Sequence, residues 1–144
     1  MTYITYPYEI DFIANHLFGQ IGTVQTAYWI ALFTVAPNTD GTVYTEVSNA
    51  STGYARVMLP NNKTVLTTSD NGDGQVSNVD EIQFLPATAS WGTVVGVGIM
   101  DSNSTTTANL LFYASLPVPK AFDDGDIAFF APGDIMWTVQ NITD

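Results

Sequence analysis

The chain of 144 residues contains no cysteine, and this absence removes several chemistries at once. Without a thiol there is no disulfide framework, no thiolate ligand for a metal and no cysteine nucleophile. A chain of this length buries about 68–70% of its unfolded surface, which is enough for a hydrophobic core without cross-links. We therefore expect a single domain over residues 1–144, stabilised by its core.

Basic residues are almost as scarce, because Arg56, Lys63 and Lys120 stand against 14 acidic residues and the net charge is −11. So few cations do not neutralise a run of phosphates, and we expect no binding to nucleic acid. Anionic membrane surfaces are disfavoured for the same reason. The surface is instead built from Thr, Ser, Asn and Gly. Such a neutral polar surface suits packing against other protein copies, although a freely soluble monomer is also compatible with it.

Long apolar runs and targeting signals are missing as well. No stretch approaches the ~18–20 residues of a membrane span. The first residues, M-T-Y-I-T-Y-P-Y-E, lack the basic region and apolar run of a signal peptide. The single histidine, His16, has no evident partner that would make it a catalytic base, and we interpret it as a half-exposed helix residue.

The strongest positive signal is the apolar run Thr93–Met100, which predicts a central strand covered on both faces. Gly92, Gly96 and Gly98 leave gaps along it, into which a neighbouring side chain or backbone can press closely. Trp91 directly precedes the run and brings a large apolar surface with one N–H donor. We expect Trp91 to be part of the core, packed between a helix and this strand.

The rest of the chain shows one helical and many strand-like segments. A stripe of apolar side chains at helical spacing predicts a helix over residues 9–21. The stripe consists of Ile10, Ile13, Leu17 and Ile21. From residue 27 to residue 142, short apolar runs with turns about every 8–12 residues predict a mainly β fold, an antiparallel β-sandwich of immunoglobulin-like or jelly-roll-like type. The two prolines of Pro117–Phe122 limit that segment to an edge strand at best.

Two acidic segments are candidates for a metal-binding or a catalytic site, and neither has the pattern that such a site requires. Ser69–Asp80 matches a calcium-binding loop at several positions, but its first position is a serine and no helical pattern flanks it, so a glycine-rich hairpin connection is favoured. The carboxylates of Asp123–Asp126 are adjacent in a turn and do not form the facing pair that glycoside hydrolysis requires. No serine lies in a nucleophile elbow. We expect no catalytic residue, no metal, no cofactor and no enzyme activity.

Arg56 lies in a predicted strand, Tyr54–Leu59, whose other side is apolar. We expect its guanidinium to make a charge-assisted contact with a carboxylate. Asp101 is the first candidate because it ends the predicted central strand. The alternative is a solvated arginine at a sheet edge.

Four blocks of sequence follow one another along the chain. They are residues 28–34 (Y-W-I-A-L-F-T), 45–48 (T-E-V-S), 53–56 (G-Y-A-R) and 84–94 (F-L-P-A-T-A-S-W-G-T-V). In this order they resemble a family of small bacteriophage virion proteins commonly described as phage tail-fibre proteins, and the similarity covers most of residues 9–140. The resemblance implies a non-enzymatic structural protein, a tail-fibre or tail-accessory module that assembles in multiple copies on the virion. It also implies that the protein assembles in the host bacterial cytoplasm.

Residues 1–8 are expected to form an extended arm that carries Tyr3, Tyr6 and Tyr8. We expect this arm to contact a neighbouring copy by adding a strand to its sheet, within a symmetric oligomer such as a trimer or a larger ring. The other expected partners are further virion proteins.

Three other functions stay open at this point. One is a capsid decoration protein, since the family description does not distinguish head from tail. Another is a receptor-binding or carbohydrate-binding module, in which exposed aromatic side chains would stack on sugars. The last is a small hydrolase or metal-dependent enzyme, which would need a polar cleft.

Overall fold

A computed structural model describes residues 4–5, 25–68 and 74–138, and every regular element in these ranges is a β-strand. The mainly β fold predicted from the sequence is confirmed there. The helix predicted over residues 9–21 lies outside the described residues, within which no helix long and apolar enough to cross a membrane is found. The strands are β1 (Ile4–Thr5), β2 (Ala27–Val35), β3 (Thr45–Glu46), β4 (Val57–Pro60), β5 (Leu66–Thr68), β6 (Gln75–Asn78), β7 (Ile82–Gln83), β8 (Gly92–Met100), β9 (Leu110–Phe122), β10 (Phe129–Phe130) and β11 (Met136–Thr138).

The main sheet is antiparallel and has the order β1-β9-β8-β2-β3, with β4 also paired to β2. The predicted central strand is β8, which lies between β9 and β2. Its residues Gly96–Met100 are paired on both sides, so that Gly98, for example, lies opposite Ala31 of β2 and Tyr113 of β9. This position explains why the run Thr93–Met100 is apolar almost throughout.

The main hydrophobic core lies between this sheet and two smaller antiparallel sheets, β10-β7 and β11-β6-β5. The main sheet contributes residues such as Ile30, Leu32 and Val94, and the smaller sheets contribute Ile82 and Trp137. The described strands therefore form antiparallel sheets that pack around this main core, in agreement with the mainly β, antiparallel fold that the sequence predicted. The choice between an immunoglobulin-like and a jelly-roll-like sandwich stays a prediction.

The main sheet is also buried on its other face. A second cluster consists of Ala31, Phe33, Met100, Leu110 and Tyr113. Because successive residues of a strand point to opposite faces, β2 and β8 contribute alternate side chains to the two clusters. This two-sided burial explains why the sequence of β2, A-Y-W-I-A-L-F-T-V, has no polar face.

Strand β9 is longer than predicted, because it continues through both prolines to Phe122. Val94 pairs with Lys120 and Gly96 pairs with Ser115, so the single residue Val95 of β8 stands opposite the four residues 116–119 of β9. The prolines thus lie in a bulge, where no N–H is needed for the ladder. On the other side of β9, β1 pairs only with Phe112 and Tyr113 in the described part of the chain.

Of the predicted arm, residues 1–8, the structure describes only the two residues of β1. Ile4 pairs with Tyr113 and Thr5 pairs with Phe112, so the strand addition that we expected between copies is made here within one chain. Tyr3, Tyr6 and Tyr8 lie outside the described residues. The backbone of β1 therefore extends the main sheet at β9 within the same chain.

Gly96 is required because Tyr113 presses against its backbone. A Cβ at this position would overlap the Tyr113 ring and hydroxyl. We expect Gly96→Ala to lower the free energy of unfolding by about 2 kcal/mol, since the core must shift to accept the extra methyl. Urea denaturation followed by circular dichroism measures this loss.

Gly92 is the matched control for Gly96→Ala. Its φ of 77° lies in the left-handed region, whereas a Cβ there would approach only the Thr34 methyl, at 3.9 Å. The cost of Gly92→Ala should thus come from the backbone alone, at about 1 kcal/mol. An unchanged stability of Gly96→Ala would contradict the close approach of Tyr113.

Candidate functional site

Among the described residues, the polar feature with the most internal contacts is a partly buried ion pair between Arg56 and Glu46. Arg56 Nε donates to Glu46 Oε1 at 2.8 Å, and Arg56 Nη2 donates to Glu46 Oε2 at 2.6 Å. The two side chains are 5% and 18% exposed. A planar guanidinium that binds both carboxylate oxygens gives a strong and well-oriented contact. The pair therefore fixes the short strand β3, which carries Glu46, to the segment that leads into β4.

The prediction that Arg56 contacts Asp101 was wrong. A different carboxylate, that of Glu46, binds the guanidinium. The Asp101 carboxylate accepts hydrogen bonds from Asn109, through the backbone N–H at 2.8 Å and through Nδ2 at 2.8 Å. The Asp101 carboxylate thus joins the two ends of the loop between β8 and β9. Glu46 takes the guanidinium because β3 pairs with the end of β2, which brings it beside Arg56.

Tyr54 is hydrogen-bonded to the same ion pair. Its hydroxyl donates to Glu46 Oε1 at 2.8 Å and accepts from the backbone N–H of Leu32 at 2.9 Å. Burial, together with the nearby Glu46 carboxylate, raises the pKa of Tyr54 far above its usual value. The hydroxyl therefore keeps its proton and acts as a fixed donor to the ion pair.

Arg56 also holds the loop 101–109. Its Nη1 donates to the carbonyl oxygens of Ser102 at 2.9 Å and Ser104 at 3.0 Å. Burial alone would lower the pKa of Arg56, but the hydrogen bonds and charge of Glu46 raise it overall. The guanidinium is thus a permanent cation that joins β3, β4 and the loop. We call Arg56, Glu46 and Tyr54 the ion-pair cluster.

An open cleft of about 300 Å³ lies beside the ion-pair cluster. Its remaining lining consists of small side chains, the polar Ser48, Asn49, Asn103 and Thr105 and the apolar Val47 and Ala55. Arg56 and Tyr54 are both hydrogen-bonded to Glu46. These contacts within the protein stabilise the fold beside the cleft.

Trp91 lies in the core and is 4% exposed. Its Nε1–H donates to the carbonyl oxygen of Thr52 at 2.9 Å, and its ring packs edge-on against Tyr54 at 5.4 Å between centroids. Phe84 and Phe122 lie against the same ring, at 6.3 Å and 5.5 Å. The predicted contact with a helix falls on residues outside the described ranges. Trp91 thus joins the link before β8 to the segment 52–54, and through Tyr54 it supports the ion-pair cluster.

The second candidate is an apolar groove between the bulge of β9 and the segment that contains β10. We define this β9–β10 groove by its walls, Leu116–Val118 and Ile127–Phe130, with Leu32 and Val94 beneath them. Its volume is about 260 Å³. Val118 is 76% exposed, Phe129 is 59% exposed and Ile127 is 39% exposed. Exposed apolar side chains that are grouped in this way are typical of contact surfaces between proteins.

Sequence reasoning missed the groove, although two signals for it are visible. In L-P-V-P the prolines break the ladder, which leaves the side chain between them free to point outward. In the pair Phe129-Phe130, adjacent strand residues point to opposite sides, so both rings cannot enter the core. Phe130 is half-buried against the core and Phe129 is exposed.

Metal-binding groups are not brought together in the described part of the chain. There, no group of three or more His, Asp or Glu side chains could hold a metal ion. The candidate calcium loop is described only from residue 74 onward, because residues 69–73 lie outside the described ranges. The interpretation of that loop as a hairpin connection stays a prediction.

The fold and its two candidate sites define an antiparallel β module with an exposed apolar groove. The sequence model of one family, described as podophage GP4 fiber I protein gp80, matches residues 8–138. The chain therefore belongs to this family of phage fibre proteins, which confirms the resemblance seen in the sequence blocks. It is a structural component of a bacteriophage virion. None of the curated proteins matches the chain.

Proposed function

We propose that the protein is a non-enzymatic tail-fibre or tail-accessory module that assembles in multiple copies on the particle. The observation that carries this proposal is the exposed β9–β10 groove on a member of a phage fibre family. A monomeric soluble protein gains nothing from an exposed Phe129 and Val118, whereas an assembling protein buries such side chains against a partner. Assembly takes place in the host bacterial cytoplasm.

The absence of enzyme activity in this proposal is supported by the ion-pair cluster. Arg56, Glu46 and Tyr54 are the titratable side chains that line the cleft beside them, and each is hydrogen-bonded within the protein. Tyr54 is held in its protonated form by burial and by the Glu46 carboxylate, which raise its pKa. With its pKa raised so far, the Tyr54 hydroxyl does not act as a general base near neutral pH. The cluster stabilises the fold and leaves contact with other proteins to the surface.

The route of self-association in this proposal is the arm at residues 1–8. Within one chain, the backbone of β1 fits the side of β9 that faces away from β8, at Phe112 and Tyr113. When a neighbouring copy supplies the arm, the same ladder forms between chains, and Tyr3, Tyr6 and Tyr8 contact that neighbour. The expected product is a symmetric oligomer, a trimer or a larger ring.

Deletion of residues 1–8 tests this route. We expect the full-length protein to have the mass of an oligomer by light scattering, and the shortened protein to have a lower mass at the same concentration. Circular dichroism should show the same β content in both proteins, because the deletion leaves β2 to β11 in place. A full-length protein that stays monomeric at high concentration would refute self-association through the arm.

A further inference from the structure

We propose that the β9–β10 groove binds an apolar segment that carries basic residues and belongs to a different virion protein. This inference rests on the proposed function, because it names the partner of an assembling module. The partner is defined by two features of the groove, its apolar walls and its acidic rim.

The walls of the groove are held in place before any partner arrives. On one side, β9 is paired with β8 both before and after the bulge at residues 116–119, and Pro117 and Pro119 restrict the backbone between these anchors. On the other side, the segment around β10 is fixed to β7, since Phe129 pairs with Gln83 and Phe84 donates its N–H to the Ala128 carbonyl at 2.9 Å. A preformed groove binds an extended segment without first ordering its own walls.

The rim of the groove is acidic and equally well fixed. The turn Asp123–Asp126 directly precedes Ile127, and its three carboxylates belong to exposed residues. Asp126 Oδ2 accepts from the Asp123 N–H at 2.9 Å, and the Gly125 N–H donates to the Ala87 carbonyl at 2.8 Å. These bonds hold the negative charges beside the end of the Ile127–Phe130 wall. Lysine or arginine on a bound segment would therefore meet carboxylates at this end.

A second copy of this chain is a poor source of those cations. The Arg56 guanidinium is bound to Glu46, and Lys120 lies at the groove itself with its Nζ 5.1 Å from the Phe122 ring centroid. Lys63 is the one further basic residue in the sequence, and each copy carries a net charge of −11. Each copy brings three rim carboxylates and only Lys120 as a cation to this groove, so two copies that met there would place net negative charge against net negative charge. A basic and apolar segment of another protein removes this repulsion.

Photocrosslinking in assembled particles tests the proposal. In Phe129→p-benzoylphenylalanine the photoreactive ring replaces an exposed ring of the groove wall, and Met58→p-benzoylphenylalanine on β4 is the control at an exposed position outside the groove. Particles are purified, irradiated and digested, and the crosslinked peptides are identified by mass spectrometry. We expect Phe129 to crosslink to an apolar peptide with Lys or Arg from a different virion protein, and Met58 to give at least tenfold less of that product.

The outcomes separate this inference from the proposed function. Particles that lack the chain altogether would refute its role on the virion. Particles that contain it refute the groove proposal if Phe129 crosslinks to another copy, to the same chain or to nothing. A crosslinked peptide without basic residues refutes the role of the acidic rim.

The rim has its own test in the same particles. Asp123→Asn with Asp124→Asn removes two negative charges, and we expect the Phe129 crosslink to fall at least threefold when the particles are irradiated in low salt. Asp40→Asn is a control for the loss of one negative charge away from the groove, because Asp40 is exposed, does not line the groove and bonds Thr42 through an Oδ1 that asparagine retains. An equal crosslink yield in all three proteins would overturn the electrostatic part of the proposal.

Discussion

Replacement of Trp91 by alanine is expected to lower the free energy of unfolding by about 3–5 kcal/mol, the usual cost of removing a large buried aromatic side chain. Three aromatic rings, of Tyr54, Phe84 and Phe122, lose their shared neighbour when the indole is removed. The surrounding strands cannot close the cavity, because β8 is held by β2 and β9 on both sides. Urea denaturation monitored by circular dichroism gives the free energy directly.

Two further variants divide this loss into its parts. Trp91→Phe keeps a ring and removes the Nε1–H donor, but the Thr52 carbonyl still accepts from the Thr88 N–H at 2.9 Å. We expect a cost of about 1–2 kcal/mol for this variant, from lost volume and one hydrogen bond. Leu85→Ala removes an exposed side chain close in sequence and should cost less than about 0.5 kcal/mol. If Trp91→Ala costs no more than this surface control, Trp91 does not support the core.

The central strands were predictable because their environment determines their composition. A strand that is covered on both faces has no position for a charged side chain, and Thr93–Met100 and Ala27–Val35 contain none. The structure places these two runs next to each other as β8 and β2. Local sequence carries this information because burial acts on every residue of such a strand.

The partner of Arg56 was not predictable by the same reasoning. Asp101 is suggested by its place after the central strand, but Asn109 lies across the loop and provides its hydrogen bonds. Glu46 reaches Arg56 only because β3 pairs with the far end of β2, a contact set by the register of the sheet. Glu46 and Arg56 stand in two blocks that resemble the fibre family, T-E-V-S and G-Y-A-R. The sequence therefore singles out both residues but does not show that they bind each other.

The β9–β10 groove was not predicted from the sequence, for a different reason. Proline predicts the end of a pairing strand, and Pro117 and Pro119 do interrupt the ladder. The interruption is a bulge of four residues rather than an end, and pairing resumes at Lys120. A strand that leaves and rejoins its partner in this way turns Val118 outward. Whether pairing resumes depends on residues in β8 that are distant in sequence.

Replacement of Arg56 by methionine is expected to cost about 3 kcal/mol. Breaking a buried ion pair by removing one partner typically costs about 3–5 kcal/mol, because the other charge is left without compensation. The lower end applies because Glu46 keeps 18% of its side-chain exposure and retains the Tyr54 hydroxyl as a donor. Arg56→Lys should cost about 1–2 kcal/mol, since an ammonium group cannot bind both Glu46 oxygens and the loop carbonyls at once.

A double-mutant cycle separates the lost charge pair from the lost packing. Glu46→Gln alone leaves the guanidinium without its anion, whereas Arg56→Met combined with Glu46→Gln removes both charges of the pair. The amide oxygen of the new glutamine is still able to accept from the Tyr54 hydroxyl. We therefore expect the double variant to be more stable than Arg56→Met by about 1–2 kcal/mol, because it leaves no carboxylate without its cation. The coupling energy is the loss of stability in the double variant minus the sum of the losses in the two single variants. Lys63→Met removes an exposed positive charge and controls for net charge, with an expected change below about 0.5 kcal/mol. If Arg56→Lys and Arg56→Met are both as stable as the wild type, Arg56 is a solvated edge residue and the ion-pair cluster does not hold β3 and the loop together.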